Sequence, residues 1–175
     1  MNGRAQVIGQ VFVFIIAAIV FVLILGYGYK AIVNFMERGE EVQMIDFKNE
    51  LSSAITIIKR DYGSVQRVDL RVPSRTEEVC FVTTDPADVR APGWEEELKK
   101  DRPLIYSAWV TGKENVFLIP KQPAPLRIDD LVVEPETTGY LCMPVVNNKV
   151  SIRVEGTGNR AKIGRWPQAN EQTGN

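Results

Sequence analysis

The chain has 175 residues, a net charge of −1 and no histidine. The charge balance offers no general attraction to nucleic acid or to anionic lipid. Without histidine the chain lacks the commonest general base, the commonest metal ligand and any Ser-His or Cys-His catalytic pair.

Residues 1–9 read as a short polar leader. No residue between Arg4 and Lys30 carries a charge. The run that follows holds Val11, Phe12, Phe14, Ile15, Ile16, Ile19, Val20, Phe21, Leu23 and Leu25, and it is apolar on every side. A helix over the uncharged stretch would be about 37 Å long. The hydrocarbon layer of a bilayer is about 30 Å thick. A helix that is apolar all round must be surrounded by lipid or by like helices. Tyr27 and Tyr29, spaced by Gly26 and Gly28, close the run, and aromatics suit the membrane–water boundary. The alternative is a secretory signal cleaved near Gly26 and Gly28, although such apolar regions are usually shorter and no A-x-A site follows. Arg4 and the terminal amine on one side nearly balance Lys30 and Arg38 on the other. The leader is too short to form anything outside, so the N-terminus is placed in the cytoplasm. That makes the chain a single-pass protein of the cell membrane with its bulk beyond it.

The helical period continues past Lys30. Phe47, Leu51, Ala54, Ile55, Ile58 and Tyr62 fall at i, i+4, i+7, i+8, i+11 and i+15, one stripe of an α-helix. Lys59 and Arg60 suit the negative end of the helix dipole, and Gly63 suits the position just past it. The spacing predicts nearly continuous helix over 10–62, apolar over 10–30 and amphipathic over 31–62. Gly39 is its weak point, about 1 kcal/mol less favourable than alanine in a helix interior. Such a helix buries its second half through Phe47, Leu51, Ile55, Ile58 and Tyr62 and leaves the first half projecting.

From Gly63 the period becomes two, and 63–165 reads as a β-rich domain. Val68, Leu70 and Val72 alternate with charged residues, a half-buried strand. A turn over 73–76 leads to a second strand over 78–83. Next come a short helix over 94–100 and Pro103, expected to block further helix. Residues 104–110 and 116–119 read as a hairpin. Residues 120–125 form an extended proline-rich linker, and 128–134 a short strand. The strongest hairpin signal joins 140–146 to 149–154 through Asn147 and Asn148, since asparagine tolerates positive φ. In that register Val150, Ile152 and Val154 share a face with Val145, Met143 and Leu141. Cys142 then points to the other face, beside Ser151 and Arg153. The tail, 166–175, is polar and reads as frayed.

Cys80 and Cys142 both fall in strand-like segments. They are either two small buried hydrophobes or one disulfide outside the cytoplasm. The apolar segment favours the disulfide. It would join the two halves of the sheet and contribute about 2–4 kcal/mol.

The layout resembles that of type IV pilins. The leader ends in Gly9, Gln10 opens a hydrophobic helix that runs into an amphipathic half, and a β-rich domain with one cysteine pair follows. The Gly9-Gln10 junction looks like the archaeal version of the class III signal. Ile8 stands where the family often has a basic residue, and Phe14 where many bacterial members carry glutamate. The sequence likeness covers 1–62; beyond that the match is one of architecture. The resemblance implies an α+β fold, with a long helix packed on an antiparallel β-sheet. It also implies cleavage after Gly9 by a prepilin peptidase, and extraction from the membrane by an assembly platform. Subunits would then pack their helices with copies of themselves or with related pilins in an extracellular filament or pseudopilus.

Other features read as structural. Gly156 and Gly158 suggest a turn rather than a phosphate loop, because no Lys-Ser/Thr follows. Asp129 and Asp130 read as a solvated turn rather than a calcium site. Trp94, Trp109 and Trp166 read as core or edge residues. No residue set supplies a nucleophile with a base or a metal site, so the expected role is non-enzymatic, with no cofactor and no nucleic-acid partner. Beside the filament subunit stand two rivals. One is a monomeric single-pass protein whose β-domain binds a ligand or partner; the other is a membrane-tethered enzyme that works without histidine.

Overall fold

The computed structural model describes residues 3–120 and 125–167, with side chains for all of these except 3–10, 35–38 and 40. Most of the expected 120–125 linker and of the polar tail lies outside the described residues. The fold is α+β, and its element order begins with one long helix, α1, over Gly3–Ile58. Strands β1 (Val65–Arg71) and β2 (Glu78–Val82) follow, then helices α2 (Trp94–Asp101) and α3 (Pro103–Val110). Strands β3 (Val116–Ile119), β4 (Leu131–Val133), β5 (Tyr140–Pro144), β6 (Lys149–Gly156) and β7 (Ala161–Arg165) complete it. The chain divides into two compact units, Met1–Val42 and Gln43–Asn175. α1 is helical through Gly39, with no break there.

The second unit contains two sheets. One has the order β1-β6-β7-β4 and the other β3-β2-β5. The pairings are antiparallel, as expected, except that β4 runs parallel to β7 at the end of the four-stranded sheet. The first core lies among the end of α1, the inner face of the four-stranded sheet and one face of the three-stranded sheet. It holds Phe47, Leu51, Ile55 and Ile58 together with Leu70, Val79, Phe81, Ile152, Val154 and Ile163. The second core lies on the other face of the three-stranded sheet. There Cys80, Val82 and Phe117 pack with Trp94, Leu98, Ile105 and Trp109 of α2 and α3. Strand β2 therefore buries both faces, Val79 and Phe81 toward one core and Cys80 and Val82 toward the other. This matches its run of consecutive apolar residues rather than a clean alternation.

Several expectations need correction. The helix stops at Ile58, not Tyr62. The chain has to reverse into β1, and the Asp61 N–H closes onto the Ile58 carbonyl at 3.0 Å. Tyr62 is 86% exposed and packs on no sheet. Gly63 does not cap the helix. It sits in the following turn at φ 77° and donates to the Gly156 carbonyl at 2.8 Å.

The expected strand over 104–110 is α3. Pro103 does not block it but occupies its first turn, where the missing N–H has no helical partner to lose. Ile105 and Trp109, four apart, form its buried face. The expected strand over 128–134 shortens to Leu131–Val133.

Asn147 and Asn148 do make the tight turn, at φ 52° and 57°, closed by one bridge between Val146 and Lys149. The two arms then part company. β5 pairs with β2, and β6 pairs with β1 and β7. The expected inner face survives, since both arms feed the first core. Cys142 does not lie beside Ser151 and Arg153; it lies opposite Cys80.

Candidate functional site

The first candidate is α1 itself. Within it Val11–Asn34 is long and apolar enough to cross a membrane, and none of that stretch is buried. Val11, Phe12, Phe14, Ile15, Ile16, Ile19, Val20, Phe21, Leu23 and Leu25 are all 45–66% exposed. Helix forms here because nothing interrupts the hydrogen-bond ladder: there is no proline from Gly3 to Ile58. At about 1.5 Å per residue, the 24 residues of that stretch span about 36 Å. Gly9 and Gln10 lie within the helix, and their side chains lie outside the described residues.

Further along, Phe47 and Leu51 are fully buried, and Ile55 and Ile58 are nearly so. Met44 extends the same stripe one turn back, a position that the spacing 44, 47, 51, 55, 58 shows in retrospect. The end of α1 is held by a charge as well as by packing. Lys59 Nζ donates to Asp130 Oδ2 at 2.7 Å. Asp130 is thus an ion-pair partner, and Asp129 takes a hydrogen bond from Arg127 Nε at 3.3 Å.

Cys80 and Cys142 are bonded, with their Cα atoms 4.0 Å apart. The ladder explains the pairing. Thr83 donates to the Gly139 carbonyl and Val145 to the Glu77 carbonyl, so hydrogen-bonded pairs of β2 and β5 fall on odd positions of β2. Cys80 and Cys142 are therefore a non-hydrogen-bonded pair, where facing side chains come closest. The bond joins neighbouring strands, β2 and β5, of the three-stranded sheet rather than two halves of a single sheet. Glu78 brings a carboxylate close to both sulfurs, but the disulfide leaves no thiolate, and Glu78 accepts from Arg102 at 3.0 Å. That cluster is no metal site.

The tryptophans form no stacking surface. Trp94 and Trp109 meet edge to face at 5.2 Å inside the second core, and Trp109 Nε1 donates to the Thr83 carbonyl. Trp166 lies beside the Arg67 guanidinium on the outer face of the four-stranded sheet. Gly156 is the last residue of β6, paired with Ala161, rather than part of the expected turn; Gly158 lies in the turn that follows.

Two further features were not read from the sequence. A groove of about 440 Å³ opens beside α3 and β3, with Met44, Ile105, Ala108 and Val116 among its walls and Arg102 and Glu114 at hand. It is invisible to any reading that takes 104–110 as a strand. The outer face of the four-stranded sheet carries a charge network. Arg153 reaches Glu134 at 2.6 Å and Glu155 at 2.5 Å, and Lys162 reaches Glu136 at 2.8 Å. The Lys162 ammonium holds the Glu136 carboxyl below its usual range, and Glu136 in turn raises the Lys162 ammonium. The Ser151 hydroxyl, and after it Arg67, lower Asp69. No family model, no curated protein and no solved structure matches the chain.

Proposed function

We propose that this chain is a non-enzymatic structural subunit of a type IV pilus-like filament or pseudopilus at the cell surface. It is held in the membrane by α1 before assembly and packed through α1 against copies of itself or related subunits afterward. The carrying observation is the uncovered apolar length of Val11–Asn34 on a helix whose later stripe is buried. One surface serves both states, because lipid tails and neighbouring apolar helices satisfy it alike. The disulfide supports a domain outside the cytoplasm. The N-terminus faces inward in this reading, and Gly9-Gln10 is the cleavage junction.

The test is the mass of the N-terminus of the protein taken from its native membrane and from sheared surface material. A start at Gln10 in sheared filaments supports the reading. An intact Met1, found only in membranes, favours the second reading: a single-pass anchored monomer whose domain binds a partner. The groove beside α3 is the observation that favours that rival.

A further inference from the structure

We infer that the free edge of β1 is a docking surface for the β1 strand of a second copy, paired antiparallel about a two-fold axis through Val68. The inference concerns Gln43–Asn175 alone and does not rest on the filament reading.

Among the described residues β1 ends its sheet and pairs only with β6. Gly156 donates to the Ser64 carbonyl, and Val72 donates to the Asn148 carbonyl. With that phase the even positions of β1 bond to β6. The N–H and C=O groups of Val65, Arg67, Asp69 and Arg71 then point away from the sheet. These four residues are exposed, and β1 contains no proline. A seven-residue edge of this kind is a template for another strand. The rim of β5, by contrast, carries Pro144.

The charges select the partner. Arg67, Asp69 and Arg71 share the outer face, an alternation of signs that complements its own antiparallel image. Centred on Val68, the pairing sets Arg67 opposite Asp69 of the second copy, and Asp69 opposite its Arg67. Arg71 then falls opposite Val65. No like charges oppose one another, and opposite charges directly across a ladder are favourable. The same register is the one the backbone needs, since every pair it makes between odd positions is a hydrogen-bonded pair. Shifting it by two residues sets Arg67 against Arg67 or Asp69 against Asp69. Within one subunit no opposite charge stands across the β1–β6 ladder: Arg67 faces Arg153, Arg71 faces Lys149, and Asp69 faces Ser151, its ion pair being with Arg67 of its own strand. A two-fold contact closes on itself, so it joins subunits in pairs and does not propagate a filament.

Disulfide trapping in the full chain, at high protein concentration in detergent, tests the pairing. Among the described residues no cysteine is free, so a Val68→Cys thiol is the reporter. Val68→Cys should form a covalent dimer at least tenfold faster than Arg71→Cys. The two copies of residue 71 would lie about 20 Å apart along the strands at about 3.3 Å per residue. Asp69→Pro removes an outward N–H together with the carboxylate set opposite Arg67 of the second copy, while leaving the bonds to β6 in place, and in the Val68→Cys background it should bring trapping down to the Arg71→Cys level. Arg67→Asp should do the same, and Arg67→Asp with Asp69→Arg should restore it. Equal trapping at 68 and 71, or trapping indifferent to Asp69→Pro and to the charge swap, overturns the proposal.

Discussion

A Cβ on Gly156 would sit 2.1 Å from the carbonyl oxygen of Ile58. The end of β6 and the last turn of α1 thus meet backbone to backbone, and the Asp61 carbonyl lies almost as near, at 2.3 Å. No side chain can move aside to relieve such a contact. The Gly156 carbonyl also accepts from Gly63, and its N–H reaches Ser64, so this one residue ties helix, turn and sheet together. Gly156→Ala should therefore destabilise the domain by about 3 kcal/mol, at the upper end of overpacking effects. Gly39→Ala, with no atom within 4 Å, should be neutral or favourable by up to about 1 kcal/mol. Urea unfolding of the two variants in detergent reads both. A Gly156→Ala protein as stable as the parent would mean that the helix end does not sit so close.

The disulfide closes a loop of 62 residues in sequence separation. Cross-linking so long a loop restricts the unfolded chain by about 4 kcal/mol in the loop-entropy account. Both sulfurs lie on the side of the second core, and Cys80 is fully buried. Cys80→Ala with Cys142→Ala should lower the unfolding free energy by about 4 kcal/mol, and reductant should have no further effect on the double variant. Protein trapped with a thiol-blocking reagent straight from the cell should run as the oxidised form. Recovery of both thiols free would place the domain in a reducing compartment and remove one support of the surface reading.

What the sequence disclosed follows from what is local. The stripe of Phe47, Leu51, Ile55 and Ile58 is set by the 3.6-residue period alone and lies buried in one core. The uncharged run 11–25 needs no partner to be recognised as apolar. The turn at Asn147 and Asn148 follows from the φ values asparagine accepts. What stayed hidden depends on distant partners. Leu104, Ile105, Tyr106 and Trp109 have strand-like chemistry, yet they form a helix because Pro103 starts one and the second core needs a lid over Cys80 and Phe117. The parallel pairing of β4 with β7, and the division of β5 and β6 between two sheets, leave no trace in the residues next to the turn. Tyr62 shows the opposite failure, for the period runs past the point where the chain has already turned.

The Glu136–Lys162 pair should make stability depend on pH at both ends. Glu136 is held below its ordinary range, chiefly by the hydrogen bond from Lys162. Its contribution is therefore present above about pH 4 and is lost as the pH falls through the lowered value. Lys162 is raised chiefly by Glu136, so its contribution holds up to about pH 10 and is lost as the pH rises through the raised value. The pair is partly exposed, and its worth is that of a screened surface ion pair. Lys162→Met should lower the melting temperature by about 2 °C near neutrality. The difference from the parent should shrink below pH 4. Melting curves of both proteins at pH 3, 5 and 7 decide it, and a difference that is constant across that range would show that packing, not charge, is what Lys162 contributes.

The rod makes the sharpest demand of all. Phe21 lies near the middle of Val11–Asn34 and is 62% exposed, so it stands open among the described residues. Phe21→Lys would put an ammonium at the centre of the hydrocarbon layer. Such a charge is unfavourable by about 2.5–3.5 kcal/mol on insertion scales, and it also replaces a favourable aromatic. The variant should shift from the carbonate-resistant membrane fraction toward the soluble or degraded pool. Tyr62→Lys, on an 86% exposed residue outside the helix, should fractionate like the parent. If Phe21→Lys stays in the membrane as firmly as the parent does, something other than lipid or a like helix covers that face, and the role assigned to α1 fails with it.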